Sequence, residues 1–207
     1  MPPPEPPPLS REAFQDATSV SRETLERLDT YRALLEKWQP KINLVASGTL
    51  RDVWRRHFLD SAQLLPLLPE SAQSLVDLGS GAGFPGLVLA ILGVPKVWLI
   101  ESDQRKIAFL RTVAQATATK VEILSGRIEQ VPRFTVDVVT ARALAPLAQL
   151  IEYGLPFLGT NGVCLFLKGR QAECELAETQ RPMMVQRFES RSDPSGVVLR
   201  LHELSPT

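Results

Sequence analysis

Apolar residues along the chain follow two regimes, and the change comes near residue 74. Before it, Leu25, Leu28, Leu35, Trp38 and Ile42 recur at spacings of three, four and seven, which is one face of a helix beginning after Ser21. Pro40 falls inside that pattern and is expected to end or kink it, since proline lacks the N–H and clashes one turn back. A short helix is predicted at 10–17 with Ser10 as N-cap. A third helical stretch is predicted at 50–65, where Val53, Trp54, Phe58 and Leu65 sit beside Arg51, Arg55, Arg56 and His57. After residue 74, short β-branched runs alternate with helical segments. Strands are predicted at 74–78, 97–101, 121–124, 136–140 and 163–167, with helices at 85–92, 103–116, 146–154 and 171–178. Near-continuous apolar strands separated by helices indicate a parallel sheet covered on both faces. Two further runs, 185–190 and 197–202, flank the turn-rich Asp193-Pro194-Ser195-Gly196 and read as a closing antiparallel hairpin. The expected organisation is a Pro-rich disordered tail at 1–9, a helical region at 10–70 and an α/β core at 71–207, all in one domain.

Composition narrows the class. At 207 residues with 44% hydrophobic and 22% charged, the chain is long enough to bury a full core, and wholesale disorder is excluded. Lys plus Arg is 23 and Asp plus Glu is 23, so the net charge is zero. Proteins that coat nucleic acid carry a basic excess, so any contact with nucleic acid must come from local cations. Cys164 and Cys174 can neither staple a secreted scaffold nor build a zinc site. The apolar run 87–94 is stopped by Pro95 and Lys96, well short of a bilayer span. A cytoplasmic protein without membrane contact or bound metal is expected.

Chemistry enters at Val76-Asp77-Leu78-Gly79-Ser80-Gly81-Ala82-Gly83-Phe84-Pro85-Gly86, a glycine turn between the first strand and a helix. That is the ligand edge of a doubly wound sheet. A dinucleotide fingerprint has glycines at its first, third and sixth positions. Here they fall at the first, third and fifth, with Phe84 at the sixth. Asp77 would repel a phosphate but attract an amino group or a sulfonium. Glu101, 24 residues on at the end of the second strand, is placed to accept both hydroxyls of a ribose. S-adenosylmethionine combines those groups. The alternative is a glycine turn selected for tight packing alone.

The chain resembles the bacterial 16S ribosomal RNA guanine-N7 methyltransferase family, also called glucose-inhibited division protein B. The matching segments are Trp38…Ile42-Asn43-Leu44, Arg56-His57-Phe58-Leu59-Asp60-Ser61, Asp77 through Gly86, Glu101-Ser102…Lys106-Ile107-Ala108-Phe109-Leu110, Arg127-Ile128-Glu129, Arg142-Ala143 and Leu167-Lys168-Gly169. The glycine turn is shared by many methyltransferases; its combination with RHFLDS and LKG is much more specific. The resemblance implies a Rossmann-like class I S-adenosylmethionine-dependent methyltransferase fold, α/β, with a seven-stranded, mostly parallel sheet. It implies a cofactor site made from Asp77, Gly79, Gly81, Gly83, Phe84, Glu101, Ser102, Ile128, Glu129 and Arg142. Glu129 and Arg142 also admit a reading as a surface pair.

Methylation at guanine N7 needs no general base, because N7 carries a free lone pair and no proton. The task is alignment of N7 behind the methyl group. No catalytic acid or base is therefore expected, and His57 reads more naturally as a packing or capping residue. Asp60 and Ser61 are expected to brace the cofactor loop or to pack against it. Arg56, Arg142 and Lys168 are the candidate contacts to RNA, drawn from basic clusters at 51–56, 105–106 and 168–170; each cluster also reads as a solvated face. The expected partner is 16S ribosomal RNA or the 30S subunit, with the enzyme a monomer and its target the 530 loop. Two other readings stay open: a methyltransferase of this fold acting on a small molecule or protein, and a noncatalytic ribosome-assembly factor.

Overall fold

The computed structural model describes residues 6–179 and 183–203. Seven strands form one sheet in the order β3-β2-β1-β4-β5-β7-β6. They are β1 (Ser74–Leu78), β2 (Lys96–Glu101), β3 (Glu122–Ser125), β4 (Val136–Arg142), β5 (Leu158–Lys168), β6 (Met183–Glu189) and β7 (Val197–Glu203). The first five run parallel, and β7 pairs antiparallel with both β5 and β6. The predicted sheet with its terminal hairpin is thus the observed one. Its strand order reverses between β1 and β4, which opens a crevice beyond the carboxyl ends of those two strands.

Successive residues of the central strands enter two different cores. Leu75, Leu99 and Val138 pack with the N-terminal helices, whereas Val76, Ile100 and Val139 pack on the opposite face. Both faces are covered, as the unbroken apolar strands require. The first face carries α1 (Arg11–Thr18), α2 (Arg22–Trp38), α4 (Gly86–Ile91) and α5 (Gln104–Ala116). The second carries α6 (Leu147–Gly154), with α7 (Ala172–Ala177) beside it. One continuous core includes Phe14, Leu28, Leu75 and Val163, so the N-terminal helices pack directly on the sheet.

Helix α2 ends at Trp38, two residues before Pro40. Its buried face is Leu25, Leu28, Tyr31 and Leu35, so the tyrosine completes the stripe read from the leucines. The guanidinium of Arg27 fastens α2 to the sheet domain, donating to the Thr117 carbonyl at 2.8 Å and to Thr119 Oγ1 at 2.9 Å. The third helical stretch is less regular than its periodicity suggests. It comprises a 3₁₀ segment at Ser47–Asp52, a π-helical turn at Trp54–Leu59 and the short α3 (Asp60–Ala62). Widened turns of this kind re-aim side chains and recur at functional sites. Part of the expected tail is held in place. The Leu9 N–H donates to Asp52 Oδ1 at 2.7 Å and Arg55 donates to the Pro7 carbonyl at 2.7 Å; residues 1–5 lie outside the described chain. No described helix is long and apolar enough to cross a membrane.

Candidate active site

The crevice above β1 and β4 is a cavity of about 820 Å³, within the range that holds a nucleoside-sized ligand. Gly79, Ser80, Gly81, Ala82 and Phe84 of the glycine turn form one wall. The turn takes a left-handed path, with φ of 62° at Gly79, 57° at Gly81 and 94° at Gly83. At Gly83 the backbone also has no room for a side chain. A Cβ there would lie 2.5 Å from the Tyr31 hydroxyl, 2.9 Å from Leu87 Cβ and 3.0 Å from Leu110 Cδ2. The Tyr31 hydroxyl donates to the Ala82 carbonyl, and burial holds its pKa well above the usual phenol value, so the donor proton is kept. Helix α2 therefore braces the turn from behind. Gly86 answers a second crowding problem, since a Cβ there would sit 2.5 Å from Asp77 Cβ. Removing it lets α4 start directly against β1.

Asp77 does not meet the cavity, contrary to the expectation that it would face a bound amino group or sulfonium. It is fully buried under the turn, where Oδ1 accepts from Thr140 Oγ1 at 2.7 Å. Oδ2 has no partner among the described residues, and burial pushes the carboxyl pKa up to about 6. Its place is in the floor of the site.

Glu101 joins the glycine turn to the loop that follows β2. Its Oε2 accepts from the Gly81 N–H at 2.8 Å, and its Oε1 accepts from the Ser102 and Asp103 N–H groups, each at 2.8 Å. A carboxylate has about four acceptor positions. Three are filled by backbone amides, and the carboxylate is buried behind the turn rather than lining the cavity. Ser102 is exposed beside it. Ile128 and Glu129 stand further off: Ile128 packs in the second core, and exposed Glu129 accepts from the Tyr153 hydroxyl at 2.7 Å, which lowers its pKa. Neither they nor Ser102 line the cavity.

Opposite the turn, the π-helical segment contributes a polar cluster. His57 stacks on Phe84 with ring centroids 4.8 Å apart, and the Arg142 guanidinium carbon lies 5.0 Å from the same ring's centroid. Arg142 donates to Asp60 Oδ2 at 3.0 Å, to the Arg56 carbonyl at 3.1 Å and to His57 Nδ1 at 3.1 Å. Since arginine only donates, Nδ1 is the unprotonated nitrogen. Nε2–H then donates to Thr49 Oγ1 at 2.7 Å, whose own proton goes to the Ala46 carbonyl at 2.6 Å. Burial, reinforced by Arg142 and Arg56, pulls the His57 pKa down to about 3. The imidazole is neutral, and both nitrogens are engaged. No lone pair is left for base chemistry.

Arg56, Arg142 and Lys168, the candidate RNA contacts, all line the cavity, but each has a carboxylate partner. Lys168 binds Glu175 at 2.7 Å and the Ala145 carbonyl at 3.0 Å, and is largely buried. Lys106 and Arg170 also line the cavity, and their side chains have no hydrogen-bond or ion-pair partner among the described residues. They follow β2 and β5, the strands that flank the β1–β4 crevice, about 14 Å apart at three strand spacings. The hairpin turn after β6 supplies the far wall through Ser190, Ser192, Asp193 and Gly196. Its sequence signalled only a turn. No group of His, Cys, Asp or Glu among the described residues is arranged to hold a metal.

Residues 24–198 match the family described as GidB, rRNA small subunit methyltransferase G. The chain is 57% identical to the ribosomal RNA small subunit methyltransferase G of Rhodospirillum rubrum, over 95% of this chain and 98% of that one. It is 59% identical to the protein of that name from Rhodospirillum centenum, over 93% and 90% of the two chains. Among solved structures it is similar in fold to a TehB-like SAM-dependent methyltransferase from Corynebacterium glutamicum, with a TM-score of 0.57 at 15% identity, covering 86% of this chain and all of that one.

Proposed function

The chain belongs to the GidB family, rRNA small subunit methyltransferase G, and is a ribosomal RNA methyltransferase; from that premise we propose that its donor is S-adenosylmethionine and its target is N7 of a guanine in the 530 loop of 16S ribosomal RNA. The donor supplies a methyl group on a positively charged sulfur, so the protein's share of the work is alignment and electrostatics. The glycine turn supports this, with Gly79 and Gly81 at the cavity wall and the buried Glu101 carboxylate holding the Gly81 N–H from behind.

The observation that carries the reading is the polar cluster at His57 and Arg142. A reaction that removes no proton requires no base, and the cluster supplies none. What it supplies is rigidity: Phe84, His57 and Arg142 are packed and hydrogen-bonded into one wall against which a base can be seated. Arg142 is therefore a positioning group on this reading, and Phe84 part of the seat. Lys106 and Arg170, which have no side-chain partner among the described residues, are suited to phosphates on either side of the target nucleotide. On this reading the protein works in the cytoplasm as a monomer docking on the 30S subunit.

The test is to incubate the chain with S-adenosylmethionine labelled in its methyl group and with 30S subunits, free ribosomal protein and a small-molecule extract in parallel. Label is expected in ribosomal RNA. Label confined to protein or to small molecules refutes the substrate, and no cofactor binding at micromolar concentration refutes the enzyme.

A further inference from the structure

Five basic side chains and three carboxylates line the cavity, and three of the basic groups are paired. The three pairs are not equally fixed. Arg142 with Asp60 is 18% and 14% exposed and is held by its other bonds to His57 and the Arg56 carbonyl. Lys168 with Glu175 is 10% and 17% exposed. Arg56 with Asp193 is 38% and 32% exposed, and rests on a single contact of 2.9 Å from Nη1 to Oδ2. The other Asp193 oxygen serves its own turn, where Oδ1 accepts from the Ser195 N–H at 2.9 Å and from Ser195 Oγ at 2.8 Å. Oδ2 is thus the loose end of a hairpin loop laid across a guanidinium at the cavity wall.

A phosphodiester presents a guanidinium with the same negative charge and paired acceptor oxygens as a carboxylate. We propose that Arg56 is a phosphate-binding site for the RNA substrate, and that Asp193 is an internal occupant of that site which the RNA phosphate displaces. The inference rests on the RNA reading given above and adds a control of affinity. Each visit to the RNA must break the Arg56–Asp193 contact, and each departure restores it. Binding is weaker than the cations alone would give, and release is assisted.

The test uses Asp193→Asn in the full chain. Asparagine keeps an oxygen for Ser195 and removes the charge. The Kd for 30S subunits at about 0.1 M salt is expected to fall about two- to five-fold, the range set by an exposed ion pair. Arg56→Ala is expected to weaken binding and to flatten the dependence of log K on log salt by about 0.7–0.9, the slope contributed by one phosphate contact. Adding Asp193→Asn to Arg56→Ala then gives little further gain. Asp16→Asn, an exposed carboxylate on α1, controls for net charge and gives none. Titration of S-adenosylmethionine into each variant reports that the cofactor site is intact. No gain from Asp193→Asn overturns the proposal, as does a gain of equal size in the Arg56→Ala background, which would mean simple repulsion of RNA. Failure of the wild-type chain to bind 30S subunits sinks both this proposal and the RNA reading, whereas normal wild-type binding with no effect of Asp193→Asn sinks this proposal alone.

Discussion

Gly83→Ala is the sharpest perturbation of the glycine turn, because two effects fall on one methyl group. The backbone there has φ of 94°, which an L side chain tolerates poorly; that strain is worth about 1–3 kcal/mol. The new Cβ would also lie 2.5 Å from the Tyr31 hydroxyl, 2.9 Å from Leu87 Cβ and 3.0 Å from Leu110 Cδ2. Leu87 Cβ belongs to a helix start and cannot swing aside, so overpacking adds about 1–3 kcal/mol. The total is roughly 2–6 kcal/mol, which lowers the melting temperature of a chain this size by about 4–24 °C. Gly81→Ala provides the contrast. It shares the positive φ, but its nearest neighbour is 3.8 Å away, so only the strain of about 1–3 kcal/mol applies. Tyr31→Phe isolates the brace. It takes away the oxygen nearest the new methyl while orphaning the Ala82 carbonyl, itself a loss of about 1–3 kcal/mol. The double variant Gly83→Ala/Tyr31→Phe is therefore expected to lose less than the sum of the singles. Thermal unfolding and calorimetric titration of S-adenosylmethionine measure both consequences, and affinity should follow the same order. Equal losses at Gly81 and Gly83, together with additive behaviour of the pair, would refute the claim that α2 holds the turn.

Other expectations follow from the same contacts. Glu101→Gln puts an amide NH₂ against backbone N–H groups and should weaken cofactor binding by about ten-fold or more, read by the same titration. Lys168→Met leaves Glu175 with the Leu147 N–H but no cation and is expected to destabilise the fold by up to about 3 kcal/mol, the low end for a broken buried pair, whereas Arg170→Ala should leave the melting temperature unchanged and weaken 30S binding. His57 titrates at about 3 folded against 6.5 unfolded, so between those values the unfolded chain takes up a proton the folded chain refuses. Its contribution is present above pH 6.5 and is lost as pH falls toward 3. Asp77, raised from 3.8 to about 6, acts in the opposite sense: its contribution is present below pH 3.8 and lost as pH rises through 6. The stability difference between wild type and His57→Gln should therefore shrink on acidification from pH 6.5. A difference independent of pH would mean that the imidazole is not held neutral.

The sheet, its order of helices and the glycine turn were legible because each is written locally, in β-branched runs, in periodicity and in glycine spacing. The π-helical turn at Trp54–Leu59 was not, since an apolar stripe looks the same whether one turn is widened or not. Tyr31 was hidden in plain sight: it lies three residues after Leu28 and four before Leu35, a spacing that marks it as buried. That its hydroxyl would reach the Ala82 carbonyl depends on how α2 crosses the turn, which periodicity does not encode. The charge pairing was the least legible feature. Arg56, Arg142 and Lys168 line the cavity, but their partners are Asp193, Asp60 and Glu175, and the first two pairs are separated by 137 and 82 residues. Only the tertiary fold reveals that the basic positions which look most committed to RNA are neutralised, while Lys106 and Arg170 have no partner among the described residues. The zero net charge of the chain takes a local form there.

On the proposed function, a rigid wall that supplies no base seats one guanine for methylation at N7. This is tested most directly by treating unmodified 30S subunits with the chain and S-adenosylmethionine, then cleaving the 16S RNA chemically at N7-methylguanine and reading the positions of scission. A single new scission in the 530 loop, absent when cofactor is omitted, is the predicted result. Methyl incorporation into the RNA without any N7-dependent scission would mean that the methylated atom is not N7.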